Sequence, residues 1–454
     1  MEFGQLEKFI IEKLSETKMP ALSIALLKDG EVIYSRGFGF RNIEAGVPAT
    51  PKTVYGIGSI TKSFTALTIM KLEEEGKLSV EDLVEKYIPI SLKPFGEPVK
   101  IHHLLTHSSG VPSLGYAEAF IDGVLNIGYS WLPVATPDDI VAFAQDMEKW
   151  AVAKPGERFF YSNTGFVLLG KIISEVSGVS YEEYVKENIL KPLGMDRSYF
   201  FKEEVDKDPD VAIGYIVDKD GKHTPKSFPY GITADGGLLS NVLDLAKYLN
   251  MYIEMKGVVS KESIKKMETP YIRVPWEIFG GEDYGYGWII HPNFFGERLV
   301  QHSGSVGIYT GFVGYIRDKK LGVAILANSS GYPLSQIGMY ALATLLGKDP
   351  KKLPFISREE ILKKLEGTYK GYKNTVRFNV KRQGDFIFLE MVSRLPEHSV
   401  VLVPEVVEED FVKCYTLSGG RKIYSEFYIK DNTVELLYER YKLVKDYREY
   451  ITRA

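Results

Sequence analysis

Apolar residues recur at helical spacing from the start of the chain: MEFGQLEKFIIEKLSETKMP mixes acidic, basic and apolar side chains in the pattern of one amphipathic helix. The next stretch, PALSIALLKDGEVIYSRGFGF, is two apolar, β-rich segments joined at KDG, which predicts a hairpin. From about Lys52 to Asn250 helical patterns dominate. SFTALTIMKLEEEG stops at Gly76, GFVLLGKIISEVSG stops at Gly178, and LSNVLDLAKYLNMYIEM follows. Strand signals return in YGYGWII, RLVQHSG, YTGFVGYIRD and LGVAILAN, ahead of a helix near PLSQIGMYALATLLG. A hairpin parted from its sheet partners by a long helical insert predicts an α+β domain, with a helical lobe beside a mixed or antiparallel sheet. Small-molecule clefts favour such a boundary.

The charged, proline-containing segment GKDPKKLPFISREE follows the last helix of that domain and places a boundary near Leu353, giving domains 1–353 and 354–454. Beyond it TVRFNVKRQGDFIFLEMV, SVVLVPEVV, DFVKCYTL and KIYSEFYIKDNTVELLYER alternate apolar and polar residues, with turns at QGD, SGG and KDN. That pattern predicts a compact antiparallel barrel of roughly 90 residues.

Bulk properties narrow the function classes. The formal charge of -4 offers no basic face for nucleic acid or an anionic membrane. A single cysteine, Cys414, is too little for an intramolecular disulfide or a structural zinc site and is expected to be a small buried hydrophobe of the barrel. The N-terminus lacks the basic region and apolar core of a signal peptide, and the longest uncharged run, Leu321 to Gly347, is broken by polar residues and Pro333. The expectation is a cytoplasmic protein with no membrane partner. Only five glutamines against abundant lysine and glutamate match a bias reported for hyperthermophiles.

The candidate chemistry begins at YGIGSITKSFTALTIM. Ser-x-x-Lys occurs three times, at Ser15, Ser59 and Ser263, but only Ser59 follows a glycine-containing turn and leads an apolar helix. There Lys62 shares a face with Ser59, while Ser15 and Ser263 are expected on charged surface segments. The structural alternative for Ser59 is a plain helix N-cap. A serine hydroxyl needs a base, and an ammonium cannot serve until burial or nearby positive charge lowers its pKa, which makes a tyrosine the partner to seek. Of three Tyr-x-Asn sequences, Tyr161 to Asn163 alone lies on a loop ahead of an apolar helix. His-x-Gly occurs once, His302 to Gly304, at a strand end where glycine lets a substrate backbone approach closely.

In this order the three motifs resemble the serine β-lactamase and penicillin-binding protein superfamily, whose last motif is generally Lys-Thr-Gly. IHHLLTHSSGVP, PGERFFYSNTGFVLLGKIIS, LGM and ADGGLLSNVLDLAKYL look like segments of its class C, esterase and D-aminopeptidase branch, over about residues 5 to 347. LEGTYKGY opens a β domain similar to the lipocalin-like barrels fused to some members. The layout is similar to that of archaeal self-compartmentalising serine peptidases of this superfamily. The resemblance implies a β-lactamase/transpeptidase-like domain followed by a lipocalin-like barrel, in a homo-oligomer for which an octamer is one expected form.

Acyl transfer follows as the expected chemistry: Ser59 attacks a carbonyl, Lys62 and Tyr161 move the proton, and water releases the acyl group. The resemblance implies an oxyanion hole from the backbone N-H groups of Ser59 and Ser305, with Asn163 holding the substrate amide and Lys62. His302 replaces the usual lysine and is expected to be partly charged near neutral pH, weakening capture of a penicillin-type carboxylate. Tyr161 is expected to activate the deacylating water. A peptidase or amidase for small peptides, D-residues included, is therefore favoured over a β-lactamase. A carboxylesterase of the same fold and a non-turnover penicillin-binding sensor are the alternatives. His103 and His107 stand i, i+4 if helical but no third metal ligand is evident, so structural roles are expected for them and for His102, and neither metal nor cofactor is required. The aromatics of GYAEAFIDGVLNIGYSWLP are expected to be core.

Overall fold

Alternating contacts across a two-residue Asp29-Gly30 turn build the opening hairpin, strands Ala21–Lys28 and Glu31–Asn42. The computed structural model describes residues 3–128, 131–132, 136–231, 233–392, 399–431 and 433–447. Tyr129 of the aromatic stretch and Asn432 of the KDN turn lie outside the described residues. The chain forms two compact units, Met1–Lys348 and Asp349–Ala454.

In the first unit the hairpin joins a nine-stranded sheet whose paired strands are all antiparallel. Ala21–Lys28 pairs with Leu321–Ala327, about 300 residues away in sequence, which closes the sheet around the helical insert. Thr310–Ile316, Glu297–Ser305 and Ile289–Phe294 continue outward. Helix Thr61–Glu74 is buried from Thr61 through Met70, so it is the interior helix of the lobe rather than an amphipathic surface one. It packs with helix Asn163–Ser177 through a continuous core that includes Phe64, Leu67, Phe166 and Leu169. Each such fully buried side chain contributes roughly 1.5–3 kcal/mol of transfer free energy, enough to fix the two helices that carry Lys62 and Asn163.

The second unit is a closed barrel of eight antiparallel strands in chain order, from Gly367–Lys370 to Tyr441–Lys445. Period-two burial points Phe378 and Val380, Ile387 and Leu389, and Val412 and Cys414 inward. With Tyr369, Leu402, Phe427, Leu436 and Leu443 they form one hydrophobic cluster. Burial pushes the Cys414 thiol up to about 12. No helix among the described residues is long and apolar enough to cross a membrane.

Candidate active site

Two glycines let the turn that carries Ser59 rest on a strand. Strand Tyr55–Gly56 runs into one 3-10 turn, Gly58–Ile60, and then into helix Thr61–Glu74, so Ser59 stands on the turn just ahead of the helix. Gly58 has φ +54°, and a Cβ there would lie 2.6 Å from the Ser305 nitrogen. A Cβ on Gly304 would lie 2.0 Å from the Ile57 oxygen and 2.9 Å from the Ser59 nitrogen. Any larger residue at either place would push the turn off the strand.

That strand, Glu297–Ser305, pairs with Ile289–Phe294 only as far as Gln301. From His302 onward its outer edge has no strand partner among the described residues. Val306 donates its N-H to the Tyr309 oxygen, so the alternation of the antiparallel ladder turns the Ser305 N-H away from Thr310. Two backbone N-H groups, those of Ser59 and Ser305, thus belong to segments packed directly on each other.

Lys62 is wholly buried, and its Nζ donates to Ser59 Oγ at 3.1 Å, Asn163 Oδ1 at 2.7 Å and the Asp235 carbonyl at 2.6 Å. Burial pushes its pKa down to about 8, against the opposing pull of Asp235 and Glu118. Of the two ways to lower a lysine's pKa, burial is the one that acts here. Once neutral, Lys62 keeps two donors and gains a lone pair. Two of its three partners only accept, so the lone pair must meet the one that can donate, the Ser59 hydroxyl.

Tyr161 lies on the loop before helix Asn163–Ser177, whose N-cap is Ser162, accepting from the Gly165 N-H at 3.1 Å. Its ring sits 4.9 Å from Lys62 Nζ. Burial raises its pKa, and the neighbouring Ser59 hydroxyl offsets this only in part, so it is a neutral phenol rather than a ready-made base.

His302 requires a correction. It is buried, with Nδ1 donating to the Ser303 carbonyl at 2.6 Å and Nε2 accepting from the Tyr284 hydroxyl at 3.0 Å. Burial and the Lys62 charge push its pKa down to about 3, so the partly charged imidazole expected from sequence is a neutral one. The structure therefore puts no cation where the usual motif carries lysine.

Sequence reasoning missed Asp235 and Tyr284. Asp235 is buried; its carbonyl holds Lys62 and its carboxylate accepts from the Tyr116 hydroxyl at 2.5 Å. No motif signals a backbone carbonyl. Ser263, expected on the surface, is buried and donates to Glu74 at 2.5 Å. The three clustered histidines part company: His102 meets the Tyr286 hydroxyl, His103 accepts from the Lys100 N-H, and His107 lies buried against Tyr161.

A family model described as Beta-lactamase matches residues 6–347, and one described as Pab87 octamerisation domain matches residues 350–444. Protein flp of Staphylococcus aureus (strain N315) is 31% identical over 332 residues, covering 71% of this chain. The chain spans 62% of the length of that relative. Penicillin-binding protein 4* of Bacillus subtilis (strain 168) is 28% identical over 76% of each chain. Among solved structures, an octameric penicillin-binding protein homologue from Pyrococcus abyssi superposes with a TM-score of 0.95. It is 69% identical, over 98% of this chain and 100% of that one.

Proposed function

This chain belongs to the beta-lactamase family, and on that premise we propose that it is a serine hydrolase working through an acyl-enzyme on small peptides or amides. The observation that carries the reading is the buried Lys62, among whose hydrogen-bond partners in the described residues the Ser59 hydroxyl is the one able to donate to its lone pair. Ser59 Oγ bonds to the carbonyl carbon as its proton passes to neutral Lys62, and the backbone N-H groups of Ser59 and Ser305 receive the oxyanion. The C-N bond then breaks as the leaving amine takes that proton, relayed through the Tyr161 hydroxyl. Water attacks the ester, its proton follows the same route in reverse to Lys62, and Ser59 is reprotonated as the acid departs. Asn163 holds Lys62 and orients the substrate amide.

A neutral His302 supports an amide or peptide substrate over a penicillin, because nothing cationic stands at that motif to hold a carboxylate. The resemblance to the D-aminopeptidase branch extends the substrates to D-residues. Matched D- and L-alanyl peptide amides and esters test this. Turnover of the amides, with the D-isomers at least as fast, is expected; ester turnover alone would convert the enzyme into a carboxylesterase.

We also propose that the barrel assembles the chain into an octamer. The octamerisation-domain match and the octameric homologue support this, as does a barrel interior occupied by its own side chains. Light scattering is expected to give eight times the chain mass, and a monomeric mass would remove the proposal.

A further inference from the structure

The loop that carries Tyr161 owes its position to one residue outside the motifs. Segment 107–110 is laced to segment 152–162 by a run of hydrogen bonds. Val152 N-H donates to the Gly110 carbonyl at 3.0 Å, Gly156 N-H to the Ser108 carbonyl at 2.7 Å, and Phe160 N-H to the His107 carbonyl at 2.8 Å. The last bond leaves the backbone ladder: Ser162 N-H donates to His107 Nδ1 at 3.0 Å. His107 therefore grips the residue on each side of Tyr161, one with its carbonyl and one with its ring.

The ring also forms part of the wall behind the phenol. Its centroid lies 4.3 Å from that of Tyr161, 4.8 Å from Tyr284 and 5.0 Å from Phe166. Because Nδ1 accepts, the imidazole proton is on Nε2, and that buried nitrogen has no hydrogen-bond partner among the described residues. The backbone at His107 is left-handed, with φ +57°. An unmet buried donor and a disfavoured backbone are both costs that a structural filler such as leucine or asparagine would avoid in part, and they persist where function sets the geometry.

We infer that His107 is a positioning residue for Tyr161, its carbonyl and Nδ1 together setting the phenol over Lys62 and Ser59. This rests on the proposed role of Tyr161 as proton carrier. Asparagine offers an acceptor near the place of Nδ1 and tolerates the left-handed backbone, whereas leucine offers neither.

The test is a kinetic cycle on the full-length protein with His107→Asn, His107→Leu and Tyr161→Phe, each folded variant verified by its thermal transition. His107→Leu is expected to lower kcat on the order of 10²-fold with little change in KM, the size of a misplaced catalytic group. His107→Asn should restore most of that loss. In the Tyr161→Phe background His107→Leu should cost no more than about threefold, because the group it positions is gone. Equal losses in both backgrounds, or an unchanged kcat in His107→Leu, would overturn the inference. Where leucine prevents folding, His107→Ala takes its place in the same cycle. If Tyr161→Phe itself leaves kcat unaltered, it is the proposed mechanism that fails, and the two failures are told apart.

Discussion

Ser59→Ala should abolish turnover, with kcat lower by on the order of 10⁴-fold or more, while the thermal transition barely moves. In the proposed mechanism the hydroxyl is the atom that bonds to the substrate, so residual rate would come from the backbone donors and binding alone. The fold has little at stake. Ser59 is partly exposed, and its side chain takes one of three hydrogen bonds from Lys62, whose bonds to Asn163 and Asp235 remain. Loss of a single such bond costs roughly 0.5–1.5 kcal/mol. Incubation with a slow ester substrate followed by intact mass measurement adds a direct reading, an acyl adduct in wild type that is missing in Ser59→Ala. Full activity in the variant would end the acyl-enzyme reading at once.

What could be seen in the chain beforehand was whatever depends on spacing. Ser59 and Lys62 are three apart on helical geometry, and that alone brings their side chains within 3.1 Å. The barrel strands betray themselves by alternation, and Val412 and Cys414 point inward as that period demands. Spacing is silent on burial, and burial decides the chemistry of this cleft. It makes His302 neutral where a partly charged imidazole was expected, and it keeps the Tyr161 phenol protonated. Long-range partners were equally hidden. Asp235 reaches Lys62 through a carbonyl 173 residues away, and His107 reaches Ser162 through a fold that lays two loops side by side. Gly58 and Gly304 lie between these cases: each looked permissive in sequence, but only the packing of Ile57 and Ser59 on the strand gives the reason no Cβ fits.

Lys62→Met should lower kcat by on the order of 10³-fold or more and remove the rising limb of the pH profile centred near the pKa of about 8. Methionine fills similar buried space but takes no proton, so activity that climbs as Lys62 deprotonates has no group left to climb with. The same shift has a signature in stability. Free lysine titrates at 10.5, so between pH 8 and 10.5 the unfolded chain holds a proton that the folded chain has released. Unfolding then takes up a proton, and stability gained from this site rises with pH across that window. Below pH 8 both states carry the charge, and the wild type bears a burial cost of about 3 kcal/mol relative to a neutral amine. Methionine avoids that cost but strands the Asn163 and Asp235 oxygens, each worth roughly 1–3 kcal/mol when left unpaired, so near pH 7 the two proteins should be of comparable stability. Raising the pH from 8 to 10.5 should then favour the wild type over Lys62→Met by about 3 kcal/mol, measured by denaturant unfolding at fixed temperature. A difference that stays flat across that window would mean that Lys62 keeps an ordinary pKa in the folded protein, and it would have to lose its place as the base that activates Ser59.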